Sequence, residues 1–166
     1  MKLLLDKSDS QKLREALLLA IYIGNIKIAQ YVLRHPKYKV LHEKKIVNEN
    51  TDSFWQTSNS HDDQFTPDTT PIILAAQYKR IEIIQMLLVI GDRIVKPHDF
   101  QCKCLECSNK FKYDSLKLAQ SRLNTYRGLA SEPYISLASI DPIQSAFELG
   151  YELRKLASAE KFYKVF

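Results

Sequence analysis

Two stretches of the chain match each other position by position, Ala20-IYIGNIKIAQYVL-Arg34 and Ala75-AQYKRIEIIQMLL-Val89. They lie at a constant offset of 55 residues, so that Ile26 corresponds to Ile81. Both copies place apolar residues at the spacing of one helix face, and a polar break precedes the second part of each copy. The repeat therefore predicts two copies of one helical hairpin, and with them an all-α fold.

The second copy has a distinctive opening, Thr70-Pro71-Ile72-Ile73-Leu74-Ala75-Ala76, which resembles the T-P-L-H-x-A-A opening of an ankyrin repeat. Thr70 and Pro71 are typical of a helix start, because threonine caps the first turn and proline has no N–H to lose there. The paired alanines allow close approach of two helices, and Gly91 is typical of a helix end. The resemblance implies two ankyrin-like repeats over residues 13–91.

The offset between the two copies exceeds the usual ankyrin period of 33 residues by about 22, which indicates an insertion. We expect this insertion to form a long loop over about residues 36–66. Its Asn48–Gln64 part is rich in polar residues and should be largely irregular. It suits either a flexible surface loop or a partner-binding loop anchored by Trp55. Because two repeats leave one end of a stack open, we expect the Leu13–Leu19 face to meet further repeats or a partner.

All three cysteines of the chain lie close together and follow a histidine, so that His98, Cys102, Cys104 and Cys107 form the pattern H-x3-C-x-C-x2-C. Thiolate sulfur and imidazole nitrogen are the donors that zinc prefers, and four protein ligands complete its tetrahedral shell. A complete shell leaves no position for a substrate water, so we predict a structural Zn²⁺ site. Nearby lysines would offset the negative charge of three thiolates: Lys96, Lys103, Lys110 and Lys112.

Two other interpretations of the cysteines are weaker. A cytosolic C-x-x-C can be a redox pair, but we do not expect Cys104 and Cys107 to lie at a helix start in a thioredoxin-like unit. The thiols could also be free and merely buried, since cysteine packs as a small apolar residue. The remaining histidines, His35, His42 and His61, have no clustered partners and are expected to be solvated or in loops.

Three more helices are expected after the cysteines, over residues 114–130, about 134–139 and 142 to about 163. Asp114 can cap the first, and Asp141-Pro142 supplies a cap and a first-turn proline for the last. The last helix carries an apolar stripe that we expect to face the core or a partner: Ile143, Ala146, Phe147, Leu149, Gly150, Leu153 and Leu156. The predicted regions are an N-terminal cap (1–12), two ankyrin-like repeats (13–91), a zinc-binding segment (92–112) and linker helices (113–166).

Charge and composition exclude several classes of protein. The chain has 24 Lys and Arg residues and 19 Asp and Glu residues, and this net charge of +5 is spread along the sequence, which does not indicate nucleic-acid binding. Its apolar runs are too short to cross a bilayer or to form a secretory signal, so we expect a cytosolic chain. Because it also lacks a Gly-rich phosphate loop and a G-x-S-x-G motif, we do not expect an enzyme.

Four motifs in one order resemble the N-terminal cytosolic region of transient receptor potential cation channels of the C type. They are Phe65-TPDTTPIILAAQ-Tyr78, Lys96-PHDFQCKCLEC-Ser108, Ser121-RLNTYRGLAS-Glu132 and Ser139-IDPIQSAFELGYELRKLA-Ser158. The resemblance implies that His98 and the three cysteines are zinc ligands. It also implies a tetrameric, calcium-permeable, non-selective cation channel downstream of phospholipase C as the parent molecule. Such channels usually have four ankyrin repeats, and this chain resembles the last two, as a fragment or truncated form would.

The functional hypothesis is an assembly and regulatory region on the cytosolic face of a plasma-membrane channel, in which structural zinc couples the repeats to the linker helices. The expected partners are other subunits of a homo- or heterotetramer, with regulatory proteins on the ankyrin face. The alternative is a stand-alone, soluble ankyrin-repeat adaptor that binds a protein partner. No nucleic acid, catalytic residue or membrane span is expected in this chain.

Overall fold

A computed structural model describes residues 10–47, 65, 69–99 and 102–159, and these contain helices without any β-strand. The helices are α1 (Ser10–Ile23), α2 (Ile26–Leu33), α3 (Pro36–Val47), α4 (Pro71–Gln77), α5 (Ile81–Ile90), α6 (Leu105–Leu129), α7 (Glu132–Ala138) and α8 (Pro142–Ala159). The predicted all-α class is therefore confirmed. Within the described residues, none of the helices combines the length and the apolar composition that a membrane span requires.

The two sequence repeats form two helical hairpins, α1–α2 and α4–α5, and their second helices begin 55 residues apart, at Ile26 and Ile81. Asn25 caps α2, since its side chain accepts a hydrogen bond from the N–H of Ile28 at 3.1 Å. The two hairpin turns adopt the same left-handed backbone at equivalent positions, Gly24 (φ +85°) and Lys79 (φ +52°). Glycine suits this conformation, whereas a lysine side chain is strained in it.

The predicted ends of the second hairpin are confirmed. The Thr70 hydroxyl accepts a hydrogen bond from the N–H of Ile73 at 3.4 Å, and Pro71 follows in the first turn of α4. Gly91 ends α5 with a φ of +101°, a left-handed conformation that closes many helices. The sequence signals therefore identify both the start and the end of this unit correctly.

The hairpins stack with α1 against α4 and α2 against α5. Ala75 and Ala76 of α4 are fully buried, which permits the close approach between helices that their small side chains predict. Arg80 extends from the turn of the second hairpin to the end of α1, where it donates hydrogen bonds to the carbonyls of Ile21 and Tyr22 at 3.3 and 3.0 Å. This side chain satisfies carbonyls that the end of a helix leaves without an intrahelical donor, and it ties the two hairpins together.

The first part of the expected inserted loop is a helix, α3, which starts at Pro36. It packs against α1 and α2, and the Leu13, Leu17 and Leu18 side chains are buried. The expectation of a loop over 36–66 is thus wrong for Pro36–Val47, because Tyr38 anchors this polar helix in the core. The expected open face at Leu13–Leu19 is also largely closed. Asn48–Gln64 and Trp55 lie outside the described residues.

His35 and His42 are buried, each with 6% of its surface exposed. His35 lies in the short connection between α2 and α3, as the loop alternative expects, whereas His42 lies within α3, so the expectation of a solvated or loop histidine is wrong for His42. The Nε2 atom of His42 lies 3.0 Å from Oδ1 of Asp92, which follows α5 and is itself buried. The Tyr38 ring stacks on the His42 ring. Burial is the main factor that raises the pKa of Tyr38 above its usual range, and the Asp92 charge adds to it. This cluster fastens α3 to the end of the second hairpin. His61 lies outside the described residues.

Helix α6 bends at Asp114, whose backbone is non-helical, and this residue divides it into a first and a second segment. The Asp114 side chain caps the second segment by accepting from the N–H of Lys117 at 3.1 Å, as the sequence predicts. The second segment packs on α4, where Gly128 lies so near Ile94 and Ile73 that a β-carbon there would approach the Ile94 side chain to 3.0 Å. The small residue therefore sets the distance between α6 and the second hairpin.

The helices after the cysteines are tied to the second hairpin by buried hydrogen bonds. The Ser131 hydroxyl donates to the carbonyl of Ala76 at 2.6 Å, and the Ile94 N–H donates to the Tyr134 hydroxyl at 2.9 Å. Asp141 caps α8 through the N–H of Gln144 at 2.9 Å, as predicted. This part of the fold therefore forms one body with the hairpins rather than a separate unit.

The apolar stripe predicted on α8 lies largely on the surface of the described structure. Ile143 and Phe147 each keep more than two thirds of their surface exposed, whereas Leu149, Leu153 and Leu156 are half-buried. Because α8 packs mainly against α7, the expectation of burial in the core of the chain is wrong for Ile143 and Phe147. The other half of the expectation, a partner interface, stays a prediction.

Candidate metal centre

The four predicted ligands come from two parts of the chain that meet at the start of α6. His98 and Cys102 lie in the connection between α5 and α6, Cys104 is the N-cap residue of α6, and Cys107 is in its first turn. The Cys104 sulfur accepts a hydrogen bond from the Cys107 N–H at 3.4 Å. The C-x-x-C pair therefore lies at a helix start, but the described residues contain no strand of the thioredoxin-like unit in which a redox pair was considered.

The four donor atoms converge on one point. The Nδ1 atom of His98 lies 3.7 Å from the sulfur of Cys102 and 3.4 Å from the sulfurs of Cys104 and Cys107, and all four donor atoms lie within 4.8 Å of one another. Tetrahedral zinc with ordinary bond lengths places nitrogen and sulfur about 3.6 Å apart and two sulfurs about 3.8 Å apart. The donor set and its spacing therefore fit one zinc ion.

The two helix-start thiols differ in acidity. The Cys107 N–H is the largest cause that lowers the pKa of Cys104 to about 6, and the side chains of Cys107, His98 and Cys102 lower it further. Burial is the largest cause that raises the pKa of Cys107 to about 11, followed by the neighbouring Cys104 thiol. Cys104 is thus a thiolate at neutral pH, the form that binds zinc, whereas Cys107 must lose a proton when metal binds.

Ion pairs surround the site and connect it to the last helix. Lys110 pairs with Glu106 across one turn of α6 at 2.8 Å, and this ammonium holds the pKa of the Glu106 carboxyl below its usual value. Lys96 lies 2.5 Å from the Glu152 carboxylate of α8, and the Tyr126 hydroxyl of α6 donates to the same carboxylate at 2.9 Å. The segment that carries His98 is therefore joined to both α6 and α8.

We expect the two helix-start thiols of the metal-free chain to react at very different rates. At pH 7, iodoacetamide should alkylate Cys104 roughly tenfold or more faster than Cys107, because the thiolate is the nucleophile. The Cys104 rate should rise as the pH increases through about 6, the pKa of its thiol, and then level off. Peptide mass spectrometry after timed labelling measures both rates. Equal rates in the folded chain would contradict the assignment, and unfolding in urea should remove the difference.

The long-range partners of this site were not predicted from the sequence. Lys96 was expected to offset the charge of the thiolates, whereas it pairs with Glu152, 56 residues along the chain. Arg122 was not expected at the site, and its guanidinium donates to the backbone carbonyl of Asp99 at 3.4 Å. No local pattern in the sequence marks such contacts, since they depend on how α6 and α8 pack.

Comparison with known proteins supports the family resemblance. Residues 102–164 match the family model described as transient receptor ion channel II. Over 98% of its length the chain is 43% identical to the human protein named short transient receptor potential channel 3, and over 96% it is 37% identical to the rat protein named short transient receptor potential channel 2. Over 74% of its length it is 43% identical to the fruit-fly transient receptor potential-gamma protein.

The helices and the cysteine site agree with these matches. The chain belongs to the transient receptor potential ion channel family. More particularly, two of these three relatives carry the name of short transient receptor potential channels. Their names describe channels rather than enzymes. The chain spans 18% of the length of the human relative and 16% of the rat relative.

Proposed function

We propose that this chain is a cytosolic N-terminal assembly and regulatory region of a calcium-permeable, non-selective cation channel of the C type. The observation that carries the proposal is the convergence of His98 with three cysteines at the point where the second hairpin is joined to α6. The similarity to short transient receptor potential channels over nearly the whole chain supports it. The two hairpins serve in this proposal as ankyrin-type repeats.

The role of zinc in this proposal is mechanical. The described residues of the connection between α5 and α6, 92–99 and 102–104, contain no helix, and a zinc ion bound by His98 and by Cys107 of α6 would fix the path of this connection. Structural zinc of this kind contributes stabilisation on the order of 10 kcal/mol in small peptides. A shape change in the hairpins is then transmitted to α6 and, through Lys96 and Glu152, to α8. The partners are other channel subunits, at the cytosolic face of the plasma membrane.

A chimaeric channel tests the proposal directly. The matching segment of the human channel 3 relative is replaced by this chain, and cation current and surface expression are measured in the same cells. We expect the chimaera to assemble and to carry agonist-evoked current, and a Cys102→Ser chimaera to lose most of it. Lys103→Ser is the matched control, since it changes the adjacent exposed side chain without removing a ligand.

Two results would contradict the proposal. A chimaera that reaches the cell surface as a tetramer but carries no current would argue against a channel region. A Cys102→Ser chimaera with unchanged current, assembly and zinc content would argue against the mechanical role of the metal while leaving the family assignment intact.

A further inference from the structure

A cavity of about 200 Å³ opens beside the metal centre, in the angle that the bend of α6 creates. One wall is the Val95–His98 part of the connection between α5 and α6. The other walls come from the two segments of α6 on either side of Asp114. The lining residues of α6 are Glu106, Cys107, Lys110, Leu118, Ser121, Arg122 and Thr125. The bend is what brings the cations of the two segments to one place.

The charge of this lining is predominantly positive. Lys96, Lys110 and Arg122 contribute three cations, against the single carboxylate of Glu106. A zinc ion together with three thiolates and a neutral imidazole would carry a net charge of about −1, and one of these thiolates, Cys107, lies in the wall. Because Glu152 pairs with Lys96, the charges around the cavity roughly balance, and an anion would be held by direct contact with the guanidinium and the two ammonium groups rather than by an excess of positive charge.

The three cations are able to turn to a ligand at little cost. The ion pairs of Lys96 with Glu152 and of Lys110 with Glu106 are partly exposed to solvent, and exposed pairs contribute little to stability. The contact of Arg122 with the Asp99 carbonyl uses one of five N–H donors of the guanidinium. A guanidinium binds phosphate oxygens through two parallel hydrogen bonds, and two lysines add point charges to that arrangement.

We propose that this cavity binds a phosphate group, with Arg122 as the main ligand and Lys96 and Lys110 as supporting charges. The phosphate comes either from a small soluble molecule or from a lipid headgroup, and the chemistry of recognition is the same for both. Binding at this position bridges both segments of α6 and the segment that carries His98. It goes beyond the proposed function because it does not depend on the chain being part of a channel.

The test measures binding to the zinc-loaded, full 166-residue chain with two probes. One probe is inorganic phosphate, which is titrated into the protein at constant ionic strength while NMR chemical shifts or the heat of binding are measured. The other is a phosphatidylcholine vesicle that contains phosphatidylinositol bisphosphate, with pure phosphatidylcholine as its blank. We expect Arg122→Gln to weaken binding of the active probe by about tenfold or more, since it removes a charge-assisted hydrogen bond. Lys110→Gln should weaken it severalfold.

Lys117→Gln is the matched control, because it removes the same charge from an exposed position of α6 outside the cavity lining. Far-UV circular dichroism and zinc content must be unchanged in all three variants, and Lys110→Gln keeps the test valid should Arg122→Gln fail to fold. If Arg122→Gln and Lys110→Gln weaken the binding of inorganic phosphate, the ligand is a soluble phosphate. If they weaken binding to the bisphosphate vesicles alone, the ligand is a lipid headgroup. No binding of either probe, or an equal loss in Lys117→Gln, overturns the proposal.

Discussion

Replacement of Cys107 by serine is expected to abolish stoichiometric zinc binding and to lower the melting temperature of the chain by roughly 10 °C. Loss of a ligand that binds only the folded state, at a hundred to a thousand times its dissociation constant, removes about 3–4 kcal/mol. A chain of this size loses about 2–4 °C for each kcal/mol. Cys107 is buried at the start of α6, so a serine there also leaves a hydroxyl facing the remaining ligands. Metal analysis and differential scanning calorimetry measure the two effects.

Ser108→Ala is the control for this change, since Ser108 is the adjacent, exposed residue of the same helical turn. It should leave zinc content and melting temperature nearly unchanged. Chelation of zinc from the wild-type chain should lower the melting temperature about as much as Cys107→Ser does. A variant that retains one equivalent of zinc, or a wild-type chain indifferent to chelation, would contradict the structural zinc site.

Replacement of Asp92 by alanine is expected to cost about 3 kcal/mol of unfolding free energy. The change leaves His42 buried without the carboxylate that lies 3.0 Å from its Nε2 atom, and removal of one partner of a buried polar pair costs about 3–5 kcal/mol when both are charged. It also takes away the carboxylate beside the buried Tyr38. Urea denaturation followed by tryptophan fluorescence and circular dichroism measures the difference.

Asp92→Asn separates charge from shape in this cluster. The amide keeps the size of the side chain and can still hydrogen-bond to His42, so we expect it to lose about half as much stability as alanine does. If both variants were as stable as the wild type, Asp92 would not hold α3 in place. If hydrogen exchange showed that only α3 loses protection, the loss of stability would be confined to the packing of α3 on the first hairpin.

The repeated part of the fold could be predicted from local signals. Each copy of the 55-residue repeat is a pattern of residues that are neighbours in sequence, and so are the cap at Thr70 and the helix end at Gly91. The structure confirms the two helical hairpins, the cap and the left-handed Gly91. The convergence of the four candidate metal ligands could be predicted for the same reason. These ligands lie within ten residues, so their spacing alone brings them near one ion.

The parts that could not be predicted depend on contacts between distant residues. His42 and Asp92 are 50 residues apart, and neither has a local pattern that marks it as buried. Pro36–Val47 has a weakly amphipathic, lysine-rich sequence, so its burial through Tyr38 is visible only when the hairpins provide a surface. The cavity at the bend of α6 is a similar case, because it requires the loop at Val95–His98 to lie against two helical segments.

The position of α3 also bears on any attempt to shorten this protein. Because α3 lies on both α1 and α2 and is fastened to Asp92, it behaves as a third structural layer rather than as a removable connection. A shortened chain that joined Leu33 directly to Thr69 would lack Tyr38 and His42, the residues through which α3 packs on the hairpins. Pro36–Val47 should therefore be kept together with the two hairpins in any design that grafts them onto another scaffold.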